Sequence, residues 1–214
     1  MSISFEHVSA WVFDLDHTLY APQTRLFDQI EARMVTYVMR ALGVGRAEAD
    51  KLRADYWQAH GTTLAGLMHH HDIDAEDFIE NVHDIDFSAL TPDPVLRARI
   101  EALPGRRIVY TNGGADYASK VLQARGLTGV FEAIYGVEHA DWRPKPERAA
   151  FERVFARDGI DPKVSAMFED DPRNLVVPHQ LGMRTVHVAP EPSEAAHIEH
   201  HTDDLSGFLA QVVS

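Results

Sequence analysis

The chain of 214 residues carries 33 acidic and 20 basic side chains, and its formal net charge of −13 argues against duplex DNA or RNA as a partner, because binding a polyanion depends on a basic face. The absence of cysteine excludes disulfides, thiolate nucleophiles and Cys-based zinc sites. The apolar runs are far shorter than the roughly 20 residues that cross a bilayer, and residues 1–7 do not resemble a signal peptide, so we expect a cytoplasmic protein with no membrane partner.

The first predicted element is a strand, and a helical block follows it. Residues 8–14 (VSAWVFD) form an apolar run rich in β-branched and aromatic side chains, which is typical of a buried strand. Helical periodicity then predicts three helices, at residues 26–42, 46–58 and 74–83. One face of the first helix carries Leu26, Ile30, Met34, Val38 and Met39. Gly43 is expected to end that helix, and Asp74 is expected to cap the last one.

Strands and helices alternate in the second half of the chain. The predicted strands lie at residues 107–111, 133–137, 164–169 and 185–189. The predicted helices lie at residues 116–125, 146–157 and 174–181, and the second of them begins with a proline. This alternation indicates an α/β fold with a doubly wound, Rossmann-like parallel sheet. The His- and acid-rich tail after Pro190 is expected to be only partly ordered.

The helical block interrupts the alternation directly after the first strand. We therefore expect an all-helical cap domain at residues 22–91. It would be inserted into an α/β core domain made of residues 1–21 and 92–214.

Polar side chains lie at the carboxyl ends of the predicted strands, where a parallel sheet places its ligands. They are Asp14 and Asp16 on the first strand, Thr111 and Asn112 on the next core strand, Glu169, Asp170 and Asp171 on a later strand, and Lys145 in a loop. Carboxylates that meet on one rim repel one another, so keeping several of them ionised requires a cation. Oxygen ligands without cysteine favour Mg²⁺.

Four segments resemble the four motifs of the haloacid dehalogenase-like (HAD) hydrolase superfamily, in the order typical of that family. They are residues 13–19 (FDLDHTL) for motif I, 111–113 (TNG) for motif II, 145–146 (KP) for motif III and 169–174 (EDDPRN) for motif IV. The helical insert is similar to the C1 cap of this superfamily. The resemblance implies a Mg²⁺-dependent phosphatase that hydrolyses phosphate monoesters of a small metabolite through an aspartyl-phosphate intermediate.

The resemblance also implies roles for the side chains at the strand ends. Asp14 is the expected nucleophile, and Asp16 is the expected acid and base for the leaving group and the attacking water. The expected Mg²⁺ ligands are Asp14, the backbone carbonyl of Asp16, and Asp170. The expected phosphate-binding residues are Thr111, Asn112 and Lys145. The residues expected to orient the metal-bound water or the lysine are Glu169, Asp171 and Asn174.

A finer resemblance lies in the predicted cap. Residues 56–67 (YWQAHGTTLAGL) are similar to a segment of the pyrimidine 5′-nucleotidase subgroup, and the run Asp-His-Thr-Leu-Tyr in motif I is also typical of that subgroup. It implies a nucleoside 5′-monophosphate as substrate. The candidate specificity residues are Tyr56, His60, Thr62 and Thr63, with His60 where the subgroup has an aromatic residue.

Some residues of the cap and the tail fit a structural role as well. Two explanations are equally good for a set of apolar and aromatic residues in the cap: they line a nucleobase pocket, or they form the helical core. The residues are Tyr56, Trp57, Leu64 and Met68. The histidines at 69–71 and at 197, 200 and 201 are interpreted as solvated surface groups in preference to a metal site.

Two other functions fit parts of the pattern. A sugar-phosphate phosphatase or a phosphomutase would share the same core. A signalling module that accepts phosphate on an aspartate also uses Asp, Thr and Lys, but the cap and the second aspartate argue against it. Asp16 favours phosphate esters over 2-haloacids, because an alkoxide leaving group needs a proton and a halide does not. The sequence carries no signal for the oligomeric state.

Overall fold

A sheet of six strands forms the centre of the computed structural model, which describes residues 5–212. Every pair of neighbouring strands is parallel, and the order is β3-β2-β1-β4-β5-β6. The strands are β1 (Ala10–Phe13), β2 (Arg106–Tyr110), β3 (Ala133–Tyr135), β4 (Ser165–Glu169), β5 (Arg184–Val188) and β6 (His200–Thr202). The expected doubly wound α/β fold is therefore confirmed.

The register of the sheet brings the ends of its central strands to one level. Phe13 at the end of β1 pairs with Val109 of β2 and with Phe168 of β4. The residues that come next along the three strands therefore emerge at the same edge of the sheet. This edge carries Asp14 and Glu169.

Side chains on the two faces of the sheet enter separate apolar clusters, because successive residues of a strand point to opposite faces. Trp11 and Phe13 pack with the helices α5 (Pro94–Glu101), α6 (Ala115–Ala124) and α9 (Leu205–Val212). Ala10 and Val12 pack with the helices α7 (Arg148–Asp158) and α8 (Val176–Leu181). Helices thus cover both faces, which explains why β1 is apolar throughout and why most positions of β2 and β4 are apolar.

Four helices follow β1 and lie in the block for which we propose a cap. They are α1 (Leu26–Leu42), α2 (Arg46–His60), α3 (Thr63–His70) and α4 (Ala75–Val82). As expected, Gly43 ends α1 in the left-handed region with φ 66°, and the Asp74 side chain accepts hydrogen bonds at the start of α4. The four helices share an apolar cluster with one face of the sheet. Within residues 5–212, no helix combines the length and the apolar character needed to cross a membrane.

The buried face of α1 differs from the expected one. Val35 and Tyr37 are buried there together with three of the predicted residues, Leu26, Ile30 and Val38, whereas Met34 and Met39 are only partly buried. The hydroxyl of the buried Tyr37 donates to Asp77 on α4 at 2.8 Å.

Two helix predictions need correction, and two helices before the tail were missed. The helix predicted from Pro146 begins at Arg148, since Glu147 has an extended backbone and is the residue that precedes the first turn. The helix predicted at residues 174–181 is a short 3₁₀ turn, Pro172–Leu175, followed by α8. The helix α3 was not predicted, and neither was α5. Its Pro94 occupies the first turn, where a missing N–H is tolerated, and the side chain of Asp93 caps it.

The expectation of a partly ordered tail is wrong. The strand β6 extends the sheet by pairing with β5, and α9 follows it. The helix is held by three buried side chains, Leu205, Phe208 and Leu209. Phe208 packs edge-on against Phe5, with ring centroids 5.9 Å apart. The polar composition of the tail hides this apolar face.

Candidate active site

Lys145 is the centre of the polar group at the carboxyl edge of the sheet. Its side chain is 1% exposed. The ammonium donates hydrogen bonds to Asp14 Oδ1 and to Glu169 Oε2, each at 2.6 Å, and to the backbone carbonyl of Tyr110 at 3.0 Å. The structure therefore brings together the ends of β1, β2 and β4 with a loop that is distant from them in sequence.

The two carboxylates around Lys145 lie in surroundings that disfavour their negative charge. Burial, followed by the charge of Glu169, raises the pKa of Asp14 to about 8, although Lys145 acts in the opposite direction. Burial likewise raises the pKa of Glu169 to about 8 against the attraction of Lys145. Burial disfavours the charge on Lys145, but Asp14 and Glu169 outweigh this effect and raise its pKa. One ammonium is thus shared by two buried acids.

Asp14 and Glu169 form, together with Asp170, a group of carboxylates that suits a divalent cation. Ligand oxygens of Asp14, Glu169 and Asp170 lie within 4.8 Å of one another. The side chain of Asp170 is 28% exposed and lines a cavity over the edge of the sheet. Carboxylate oxygens without nitrogen or sulfur ligands suit Mg²⁺, and a bound cation would stabilise the charged forms that burial and mutual repulsion disfavour. The residues present therefore fit Mg²⁺. Glu169 is one of the three carboxylates of this group, whereas the sequence predicted only a supporting role for it.

Asp16 has different surroundings from Asp14. Its Oδ1 accepts hydrogen bonds from the hydroxyls of Tyr20 at 2.5 Å and Tyr117 at 2.6 Å. Burial raises the pKa of Asp16, against the effect of the two tyrosines. A raised pKa favours the protonated form, which suits a carboxyl that donates a proton to a leaving group.

The two tyrosines were not predicted. Tyr20 lies in the Asp-His-Thr-Leu-Tyr run, which offered a signal for it. Tyr117 is 101 residues from Asp16 along the chain, so only the fold shows the contact.

Thr111 and Asn112 lie at the predicted edge but act in different ways. The hydroxyl oxygen of Thr111 accepts a hydrogen bond from Gly113 N–H at 3.0 Å, which leaves the hydroxyl proton to be donated to a ligand. The Asn112 side chain instead holds the backbone of Lys145. Its Oδ1 accepts from the Lys145 N–H at 2.7 Å, and its Nδ2 donates to the Lys145 carbonyl at 3.1 Å. Only the backbone N–H of Asn112 is therefore placed to serve as a phosphate ligand.

The remaining polar residues of motif IV surround the acids. Asp171 pairs with the guanidinium of Arg173 at 2.6 Å, and its backbone N–H donates to Glu169 at 3.2 Å. Asn174 is buried and lines the cavity. His17 Nδ1 lies 3.4 Å from Asp170 Oδ2, and this hydrogen bond raises the pKa of His17.

A cavity of about 510 Å³ opens over these groups. Its floor contains Asp14, Asp16, Thr111, Lys145 and Asp170. Its roof comes from the four helices after β1 and is largely apolar, with Phe27, Ile30, Met34, Trp57, Leu64, Phe78, Ile79 and Val82. The volume is in the range of small-molecule sites. The arrangement suits a ligand with an anionic end on the floor and a less polar body under the roof.

The four candidate specificity residues of the cap separate into two pairs. Thr62 and Thr63 line the cavity, and the hydroxyl of Thr63 donates to the Arg53 carbonyl at 3.2 Å. Tyr56 is buried between helices, with its hydroxyl 2.8 Å from His71 Nε2, and it lies outside the residues that line the cavity. His60 lines a separate surface cavity, and its Nε2 lies 3.0 Å from that of His70.

The other candidate residues for a nucleobase pocket, Trp57, Leu64 and Met68, do not all line the cavity. Trp57 and Leu64 line the cavity, whereas Met68 is 39% exposed and lies outside it. The guanidinium of Arg173 stacks on Trp57 at 3.8 Å, so a cap residue contacts motif IV directly. The sequence offered no signal for two polar residues of the roof, Glu31 and Arg53.

The chain is similar to known proteins in both sequence and fold. The family model described as haloacid dehalogenase-like hydrolase matches residues 8–182. The chain is 27% identical over 178 residues to Phosphate metabolism protein 8 of Saccharomyces cerevisiae. This match covers 74% of the chain and 54% of the yeast protein, so the chain spans about half the length of that relative.

Two solved structures share the fold. CbbY from Rhodobacter sphaeroides, in complex with phosphate, has a TM-score of 0.67 and 17% identity, with 96% of this chain and 99% of that chain covered. A HAD phosphatase from Thermococcus onnurineus has a TM-score of 0.61 and 16% identity, with 94% of this chain and 96% of that chain covered. The family model spans most of the chain and all four motifs, which meet at one edge of the sheet. The chain therefore belongs to the haloacid dehalogenase-like hydrolase family.

Proposed function

We propose that this protein is a Mg²⁺-dependent phosphatase that hydrolyses phosphate monoesters through an aspartyl-phosphate on Asp14. The observation that carries the proposal is the group of Asp14, Lys145, Glu169 and Asp170 on the floor of a cavity of about 510 Å³. An ammonium and carboxylates that suit a divalent cation surround one nucleophilic oxygen there. The relatives whose names mention phosphate or phosphatase support the same class of reaction.

The first half of the reaction uses both aspartates of motif I. One oxygen of Asp14 is held by Lys145, while the other has no hydrogen-bond partner among residues 5–212 and is the one that attacks phosphorus. As the new O–P bond forms, the bond from phosphorus to the ester oxygen breaks, and Asp16 gives its proton to the departing alkoxide. The hydroxyls of Tyr20 and Tyr117 keep the Asp16 carboxyl in place for this transfer.

The second half regenerates the enzyme. Asp16, now ionised, takes a proton from a water that attacks phosphorus, and the bond between phosphorus and Asp14 breaks. Lys145, the hydroxyl of Thr111 and the N–H of Asn112 bind the phosphoryl oxygens, and the Asn112 side chain positions Lys145. Mg²⁺ bound by Asp14, Asp170 and the carbonyl of Asp16 would supply positive charge against the phosphoryl group and the nucleophile.

The proposed substrate class is nucleoside 5′-monophosphates. The cap segment that resembles the pyrimidine 5′-nucleotidases places Thr62 and Thr63 in the cavity, under a roof that includes Trp57. An apolar and aromatic roof suits a flat base better than the many hydroxyls of a sugar phosphate. The partner is then a small phosphorylated metabolite, and the proposed location is the cytoplasm.

The test is the release of phosphate from p-nitrophenyl phosphate and from a panel of nucleotide and sugar monophosphates, with Mg²⁺ and with a chelator. We expect steady release that depends on Mg²⁺, and a folded but inactive Asp14→Asn variant. A single equivalent of phosphate retained on the protein would instead favour a phospho-accepting module. Interconversion of sugar phosphates without net release would favour a phosphomutase. Near-normal turnover by Asp14→Asn would remove Asp14 from the nucleophile role.

A further inference from the structure

The roof of the cavity contains one charged pair among side chains that are mostly apolar. Arg53 on α2 and Glu31 on α1 both line the cavity, and Arg53 Nη1 donates to Glu31 Oε1 at 2.9 Å. The Arg53 side chain is 24% exposed and that of Glu31 is 43% exposed. The charged pair is therefore accessible to a molecule that fills the cavity.

The hydrogen-bonding capacity of Arg53 is incompletely used. A guanidinium has five N–H donors, and among the described residues the Arg53 side chain donates only through Nη1, to Glu31. Its Nη2 has no partner there and is not buried, so it can donate to an acceptor that a ligand brings into the cavity. A purely structural role would be to tie α1 to α2, but partly exposed ion pairs contribute little to stability, and the two helices also pack through apolar side chains.

The charge of the pair indicates what kind of group it binds. Because Glu31 neutralises Arg53, the pair offers no net positive charge to a second phosphate, as a sugar bisphosphate would require. It offers a donor beside an acceptor, which matches a neutral edge that carries a carbonyl oxygen next to an N–H. Trp57 and Phe27 line the same cavity and provide apolar surface for a flat ring.

We infer that Arg53 and Glu31 form a specificity site that binds the polar edge of a heterocyclic leaving group, such as a pyrimidine base. The inference rests on the proposed function and deepens it, since it names residues that distinguish nucleotides from other monoesters. Neither residue takes part in bond breaking. Both act on the part of the substrate that leaves.

Steady-state kinetics on four substrates test the inference: uridine and cytidine 5′-monophosphate, ribose 5-phosphate, and p-nitrophenyl phosphate. The variants are Arg53→Met, which keeps an apolar stem, and Glu31→Gln, which keeps the shape. Arg33→Met is the matched control. Arg33 is another arginine of the cap helices and pairs with Asp84 at 2.9 Å, but it does not line the cavity.

We expect the wild-type protein to prefer the two nucleotides. Arg53→Met should lower kcat/KM for them by about 10–100-fold, the equivalent of one hydrogen bond from a charged donor. The values for ribose 5-phosphate and p-nitrophenyl phosphate should change less than about twofold, which also shows that the variant is folded. Glu31→Gln should change the ratio between uridine and cytidine monophosphate, and Arg33→Met should change nothing.

Two results would overturn the inference while the phosphatase proposal stands. One is an equal loss with all four substrates in Arg53→Met, which would indicate a structural role. The other is a wild-type protein that cleaves ribose 5-phosphate as well as the nucleotides. A folded wild-type protein that releases phosphate from none of the substrates in Mg²⁺ would overturn the proposed function itself.

Discussion

At the scale of single residues, two aspartates two positions apart have contrasting environments. Asp14 faces an ammonium and two further carboxylates, whereas Asp16 faces two tyrosine hydroxyls. The first environment suits a charged nucleophile when a cation is present, and the second suits a carboxyl that exchanges a proton. The division of roles therefore follows from the partners that the fold supplies and not from the aspartates themselves.

Lys145 allows a direct test of this electrostatic account. Lys145→Met keeps the size of the side chain but leaves Asp14 and Glu169 buried without their ammonium. We expect the free energy of unfolding to fall by about 3–5 kcal/mol without Mg²⁺, as for a buried ion pair that loses one partner, and activity to be lost. Urea unfolding measures the first effect. Adding Glu169→Gln should recover part of the stability, and a loss below about 1 kcal/mol for the single variant would contradict the account.

At the scale of elements, the end of α2 contacts the catalytic loop. Gly61 has φ 85°, and a Cβ there would lie 3.1 Å from the Lys145 carbonyl, which also accepts a hydrogen bond from Asn112. Gly43 at the end of α1 has φ 66° with nothing within 4 Å of a Cβ. The two glycines share the backbone strain but differ in what surrounds them.

Replacing each glycine with alanine distinguishes the effect of backbone strain from the effect of the contact with the loop that carries Lys145. Both Gly61→Ala and Gly43→Ala should lower the free energy of unfolding by about 1–2 kcal/mol, since the left-handed region is unfavourable for alanine. Only Gly61→Ala should also lower kcat/KM several-fold, because the added methyl displaces the loop that carries Lys145. Equal activity of the two variants would show that α2 does not position that loop.

His83, the residue after α4, predicts a pH dependence of stability. It is buried and stacks on Tyr117 with ring centroids 4.2 Å apart, and burial lowers its pKa from 6.5 to about 4, with a smaller effect of Lys120 in the same direction and of Asp116 against it. The unfolded chain therefore binds more protons between these two values. The free energy of unfolding should fall as the pH decreases from 6.5 to 4, by up to about 3 kcal/mol from this group.

The His83→Phe variant isolates that contribution, because phenylalanine keeps the stacked ring and does not titrate. Urea unfolding at several pH values should give a difference between wild type and variant that is constant above pH 6.5 and shrinks or reverses toward pH 4. Parallel pH profiles of the two proteins would contradict the assignment.

At the scale of the whole molecule, the sequence predicted five of the six strands and the polar edge of the sheet, because these strands contain apolar runs that are buried on both faces. The residues at the strand ends were also predicted, since a parallel sheet brings these ends together. The tail helix was missed although Leu205, Phe208 and Leu209 have helical spacing, because the His- and acid-rich segment before it dominates the composition of the tail. Tyr117, Glu31 and Arg53 were missed because their roles depend on contacts between distant parts of the chain, which no local pattern encodes.

The three carboxylates at the edge of the sheet, Asp14, Glu169 and Asp170, should make the stability of the whole protein depend on Mg²⁺. Mg²⁺ that binds only the folded state raises the free energy of unfolding, by about 2.7 kcal/mol at 100 times its dissociation constant. Urea unfolding with Mg²⁺ and with a chelator measures this difference. Asp170→Asn should reduce it strongly, whereas Asp84→Asn, an exposed carboxylate paired with Arg33, should leave it unchanged. An unchanged response in Asp170→Asn would remove that residue from the metal site.

The central claim is that phosphate is transferred to Asp14, and the most direct test is to locate that phosphate. Asp16→Asn keeps an acceptor for the two tyrosines but cannot exchange a proton, and p-nitrophenolate leaves without needing one. Mixed with p-nitrophenyl phosphate and Mg²⁺, this variant should release one equivalent of p-nitrophenolate and then stall, with the phosphate on the peptide that contains Asp14 in acid-quenched samples. Phosphate on another residue, or continued turnover with Asp14 unmodified, would contradict the account.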